Sequence, residues 1–86
     1  MTTRDRDAWE IEFCRRLGAN ITTARLAKGW SGYDLAAAVE IHPSVLWRYE
    51  DGRPGIGLDL LQTIADALGV TSTSLLPRKL NGMLDA

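Results

Sequence analysis

SGYDLAAAVEIHPSVLWRYEDG, residues 31–52, decides the fold. Ser31 followed three residues later by Asp34 resembles a capping box, in which the serine oxygen and the acid satisfy free amide hydrogens at a helix start. Leu35, Ala36 and Val39 then fall on the inward side of a short helix, and the alanines at 36 to 38 permit close helix approach. Pro43 opens a second helix, because its missing donor would have been unpaired there in any case. Val45, Leu46 and Tyr49 can face a core, which leaves Ser44, Trp47, Arg48 and Asp51 outward. Gly52 supplies the stop. Two short helices joined by a tight turn display the second as a rigid rod, and a rod of that width fits the major groove of DNA.

The chain on either side of this pair is helical too, with no sustained period-two alternation. A first helix is expected from about Ala8 to Lys28, with Trp9, Phe13, Leu17, Ile21 and Ala24 as its apolar stripe. Gly18 interrupts that stripe at a cost of ~1 kcal/mol relative to alanine, and marks either a kink or a close contact with another helix. A fourth helix spans about Leu58 to Leu68, burying Leu58, Leu61, Ile64, Ala65 and Leu68. A short fifth covers Ser72 to Leu76 and is interrupted by Pro77. Leu80, Met83 and Leu84 form a late apolar cluster. Gly29, Gly52 and Gly69 each follow an apolar helical run, where a left-handed residue ends a helix at little cost.

At 86 residues and 45% hydrophobic, the chain can build one small core. No apolar run approaches the ~18 residues of a membrane span. The opening MTTRDRDAWE does not read as a signal peptide, and with the single Cys14 it fits a cytoplasmic protein without an internal disulfide. The formal net charge is -1, lower than in many DNA-binding domains. Placement matters more than the sum. Lys28, Arg48 and Arg53 lie in or beside the helix pair, whereas Asp5, Asp7, Glu10, Glu12, Asp59, Asp66 and Asp85 lie elsewhere. There is no nucleophile–base pair, metal-ligand spacing or phosphate-cradling loop, so neither an enzyme nor a metal or other cofactor is expected.

Residues 17–76 resemble the Cro/C1-type (Xre-like) helix-turn-helix domain of bacterial and phage regulators. The resemblance is carried by LGANITTARLAKGWS, LAAAV, the turn, SVLWRYEDGR and LDLLQTIADALGVTSTSLL, in order and at these spacings. It implies an all-α, five-helix lambda-repressor-like domain at 17–76, with residues 1–16 extending helix one and a C-terminal tail, 77–86, available for a dimer contact. It implies a cytoplasmic homodimer, bacterial or phage-encoded, that binds double-stranded operator DNA, most often to repress transcription. Arg25 and Glu50 occupy positions that in this family often form a buried ion pair. Gly32 and Arg53 fall where the family often touches phosphate, and Ser44, Trp47 and Arg48 at base-facing positions. The chain departs from the pattern in three places. Gly32 replaces a glutamine that commonly contacts phosphate, and Trp47 replaces a small polar residue. Glu40 stands for the turn glycine, where a positive φ costs ~1 kcal/mol.

Several side chains carry more than one reading. Arg48 matches the O6 and N7 acceptors of guanine, or else is a solvated partner for Asp51. Trp47 presses on thymine methyls, anchors a protein, or is buried by a shift of helix phase. His42 is a phosphate donor that strengthens on protonation, or a plain turn residue where serine or asparagine would cap better. Cys14 is a passive half-buried thiol, or a redox sensor if its pKa is lowered. Arg15 and Arg16 form a solvated face or touch phosphate. Trp9 and Phe13 extend the core or form a dimer surface. The competing function is a protein-binding module on the same fold, antitoxin-like or regulator-binding, for which the acidic balance, Gly32 and Trp47 are the motive.

Overall fold

Ile21, Leu35, Leu46 and Ile64 are completely shielded from solvent, and Leu17, Ala36, Val39, Leu61, Ala65, Leu68 and Leu75 close around them. This cluster draws on every helix of the computed structural model, which describes residues 3–77. The helices are α1 (Thr3–Ala27), α2 (Gly32–Ala38), α3 (Pro43–Glu50), α4 (Leu58–Leu68) and α5 (Ser72–Leu75). The fold is all-helical, as the periodicity requires. α3 packs on both α1 and α2, and α4 packs on α2 and α5. No described helix is long and apolar enough to cross a membrane.

The long first helix begins at Thr3, five residues before the expected start, because neither proline nor glycine interrupts that stretch. Gly18 is resolved in favour of close contact. A Cβ built there would collide with the backbone carbonyl oxygens of Tyr49 and Glu50. Glycine thus lets α1 lie directly against the end of α3. Trp9 and Phe13 stack with ring centroids 5.2 Å apart, and Phe13 packs against the core.

Leu35, Ala36 and Val39 face inward as expected, while the close-approach reading narrows and one inward assignment needs correction. Of the three alanines at 36 to 38, Ala36 alone is buried, and Ala37 and Ala38 face solvent. The close approach therefore runs through one position rather than a small-residue face. Leu58, expected in the α4 stripe, is 82% exposed. It is the first residue of α4, one turn ahead of Leu61, where the buried stripe begins. Leu58 borders an apolar groove of about 520 Å³ together with Trp9, Phe13, Ile56 and Leu76. Leu80, Met83 and Leu84 lie outside the described residues.

The turn between α2 and α3 follows the left-handed geometry of a helix end. Glu40 N–H donates to Ala37 O at 3.2 Å, and Ile41 N–H to Ala36 O at 3.0 Å. This is the paired reverse bonding of a Schellman ending, and it puts the intervening residue at positive φ. Here that residue is Glu40, at φ 59°. Gly69 plays the same part after α4 at φ 73°, without a Cβ to strain it.

Candidate nucleic-acid interface

α3 is positioned from below and exposed above. Leu46 is fully buried, Val45 and Tyr49 are half-buried, and Ser44, Trp47, Arg48 and Asp51 face solvent. The three positions read as base-facing therefore share one outward surface. At its far end, Arg25 of α1 clasps Glu50 in a two-pronged ion pair, Nε to Oε2 at 2.8 Å and Nη2 to Oε1 at 3.0 Å. The third prong, Arg25 Nη1, donates to the Trp30 carbonyl at 2.9 Å. The two side chains are 12% and 9% exposed, so water screens the pair little. Hydrogen bonding to Glu50 holds the Arg25 guanidinium above its ordinary pKa. One arginine thus joins α1, the loop before α2 and the end of α3.

The start of α3 is built differently from the expectation. His42 is more than a turn residue. It is the N-cap, with Nδ1 accepting the Ser44 backbone N–H at 3.1 Å. At the start of α2 the capping box is complete: Asp34 N–H donates to Ser31 Oγ at 3.1 Å, and Ser31 N–H donates to Asp34 Oδ2 at 2.8 Å.

The departures at 32 and 47 are one arrangement. The Trp47 indole lies over Gly32, so that a Cβ at 32 would stand 2.7 Å from the indole Nε1. Tyr33 meets the same indole edge-on, with centroids 5.3 Å apart and an 83° interplanar angle. Trp47 remains 44% exposed and Tyr33 63% exposed, so the core reading of Trp47 fails. A large residue on α3 is accommodated by the absence of a side chain on α2. Sequence reasoning missed Tyr33. Its signal was its place off the Leu35–Ala36–Val39 side of α2, next to a glycine.

The remaining candidate cations fall in three places. Arg48 and Arg53 are exposed at the end of α3, and no ion pair joins Arg48 to Asp51 among the described residues. Lys28, grouped with them by sequence, places its ammonium 4.8 Å above the Trp30 ring. On α1, Arg15 and Arg16 both grip Glu12, at 2.7 and 2.6 Å, and hold its carboxyl down to about pKa 2. This is a self-paired, solvated patch. Cys14 is half-buried, and burial pushes its thiol pKa up, which keeps it a thiol rather than a reactive thiolate. No cluster of three metal-ligating side chains occurs among the described residues.

An exposed, capped helix following a tight left-handed turn, locked to its neighbours by Leu46 and the Arg25–Glu50 pair, defines a helix-turn-helix protein. A sequence model of the helix-turn-helix domain matches residues 16–78, and the chain belongs to that family. No curated protein sequence matches it. Among solved structures it is similar to the clp gene regulator ClgR from Corynebacterium glutamicum, at 30% identity over 73% of this chain and 81% of that one, with a TM-score of 0.71. The restriction-modification controller protein C.AhdI from Aeromonas hydrophila is 25% identical over 73% and 96% of the two chains, with a TM-score of 0.70. The hypothetical transcription factor NHTF from Neisseria is 28% identical over 86% and 85%, with a TM-score of 0.74.

Proposed function

We propose that the protein is a DNA-binding transcription regulator, acting as a homodimeric repressor on a pseudo-palindromic operator. The observation that carries this reading is the outward display of Ser44, Trp47 and Arg48 on an α3 that is fixed at both ends. In this reading α3 lies in the major groove. The Arg48 fork pairs with guanine O6 and N7, and the exposed part of Trp47 presses on thymine methyls. Ser44 meets a base edge. His42, Arg53 and Lys28 flank the helix and suit phosphate oxygens, which fix register rather than sequence. Gly32 contributes by leaving room for the indole. The Arg25–Glu50 pair is scaffold.

Two copies related by a two-fold axis would place their recognition helices ~34 Å apart, one turn of duplex. Occupancy of such a site in a bacterial or phage promoter would itself exclude polymerase. The names of the similar structures, a gene regulator, a controller protein and a transcription factor, support a role in transcription regulation. The second reading, a protein-docking module, is favoured by one feature: the exposed Trp47–Tyr33 pair supplies the aromatic surface common at protein contacts.

Fluorescence anisotropy decides between the two. Labelled DNA from upstream of the protein's own gene is titrated beside an unrelated duplex at ~50 and ~200 mM salt. A DNA-binding regulator binds the upstream duplex more tightly, with affinity falling steeply as salt rises. Weak binding to both duplexes at both salt concentrations, together with salt-insensitive capture of a protein partner, would favour the docking module.

A further inference from the structure

The cap on α3 fixes the hydrogen-bonding sense of the residue beside it. The Ser44 backbone N–H has one hydrogen and no lone pair to offer, and it points at His42 Nδ1 over 3.1 Å. Nδ1 is therefore the acceptor and carries no proton, and the proton of the neutral ring sits on Nε2. Ser44 Oγ lies 2.8 Å from the same Nδ1. An oxygen and a nitrogen that close attract only with a hydrogen between them, and the hydroxyl supplies it. The single donor of Ser44 is thus engaged within the protein, and what the side chain has left for a ligand is lone pairs. A serine hydroxyl ordinarily donates or accepts and so tolerates any base edge. Here the hydroxyl shares the one Nδ1 lone pair with the backbone N–H, so its donor is drawn toward His42 and its lone pairs face a ligand.

We propose that His42 is a positioning residue that turns the Ser44 hydroxyl toward accepting, so that α3 favours a base with an amino group in the major groove, adenine or cytosine, on the strand Ser44 touches. The inference rests on α3 lying in the major groove as proposed above. There, adenine N6 and cytosine N4 present hydrogens, while guanine O6 and N7 and thymine O4 present lone pairs that oppose those of Ser44. Each base pair holds one amino and one keto base. The choice is therefore of strand: adenine over thymine, cytosine over guanine. The Nε2–H of His42 stays available as a donor and suits a phosphate oxygen without protonation of the ring.

The test is selection of bound duplexes from a pool with a randomised core, using the full chain. Wild type is compared with Ser44→Ala, His42→Ala and His42→Asn. The position whose preference disappears in Ser44→Ala is the Ser44 position. Wild type should show adenine or cytosine there, favoured roughly threefold to tenfold over the keto bases, the range of one net hydrogen bond. His42→Asn retains an acceptor at the cap and should retain that preference. His42→Ala frees the hydroxyl to donate and should level the two base classes to within about twofold, with other positions unchanged. A cap that is structural only would lower the affinity of His42→Ala and leave base preference intact, and that result overturns the inference. Guanine or thymine at the Ser44 position in wild type, or no position altered by Ser44→Ala, also overturns it while leaving DNA binding standing. No enrichment by wild type overturns the DNA-binding reading and this inference together. If His42→Ala does not fold, the base class selected by wild type at the position that Ser44→Ala exposes gives the decision.

Discussion

At the scale of single residues, Gly32 and Trp47 explain each other. A residue with no side chain on α2 and an oversized one on α3 look like two separate losses of family pattern, yet the indole occupies the space that a side chain at 32 would need. The pair therefore has a measurable coupling. Gly32→Ala puts a methyl 2.7 Å from the indole nitrogen, and the half-exposed ring must move. The expected cost is about 1 kcal/mol in the natural background, vanishing or reversing when Trp47 is replaced by serine, since alanine is otherwise the better helix residue. Urea unfolding of the two single variants and the double variant closes the cycle. Additive effects would mean that the indole does not rest on Gly32 in solution. None of this was legible from one sequence, because contact between α2 and α3 surfaces depends on their crossing. The outward placement of Ser44, Trp47 and Arg48 was legible, because the inward set Val45, Leu46 and Tyr49 fixes the phase of α3.

At the scale of elements, the boundaries of the four short helices were legible, and the start of α1 at Thr3 was not. Ser31 with Asp34, Pro43, and the glycines at 29, 52 and 69 mark boundaries by local backbone chemistry, which sequence carries directly. His42 as a cap was not read, because imidazole is an uncommon N-cap and its suitability depends on which nitrogen holds the proton. Leu58 had the correct spacing for a buried stripe but sits on the first turn, at the open rim of the groove it shares with Trp9 and Phe13. The α2–α3 turn holds the clearest element-scale prediction. Glu40 is a non-glycine residue at φ 59°. Glu40→Gly should stabilise the domain by about 0.5 kcal/mol, the left-handed strain removed less the added chain entropy. A midpoint in urea that stays the same or falls would show that Glu40 makes a compensating contact in solution.

At the scale of the whole molecule, one ion pair and one glycine hold the presenting helix to its support. Arg25 and Glu50 connect α1 to α3 across 25 positions of sequence, and Gly18 allows the two backbones to touch. Glu50→Ala leaves the Arg25 guanidinium largely buried without its carboxylate, and should cost about 3 kcal/mol of stability by chemical denaturation. A loss below about 0.5 kcal/mol, the level of a solvent-screened pair, would mean that water reaches this site. The family resemblance pointed to the pair, and the geometry adds the third prong to Trp30. In the proposed complex α3 enters the major groove. Methylation interference on a selected duplex tests it most directly. Methyl groups on guanine N7, which project into the major groove, should block binding, and Arg48→Ala should abolish that block at a single guanine in each half-site. Block only by adenine N3 methylation, in the minor groove, or an unchanged guanine pattern in Arg48→Ala, would contradict it.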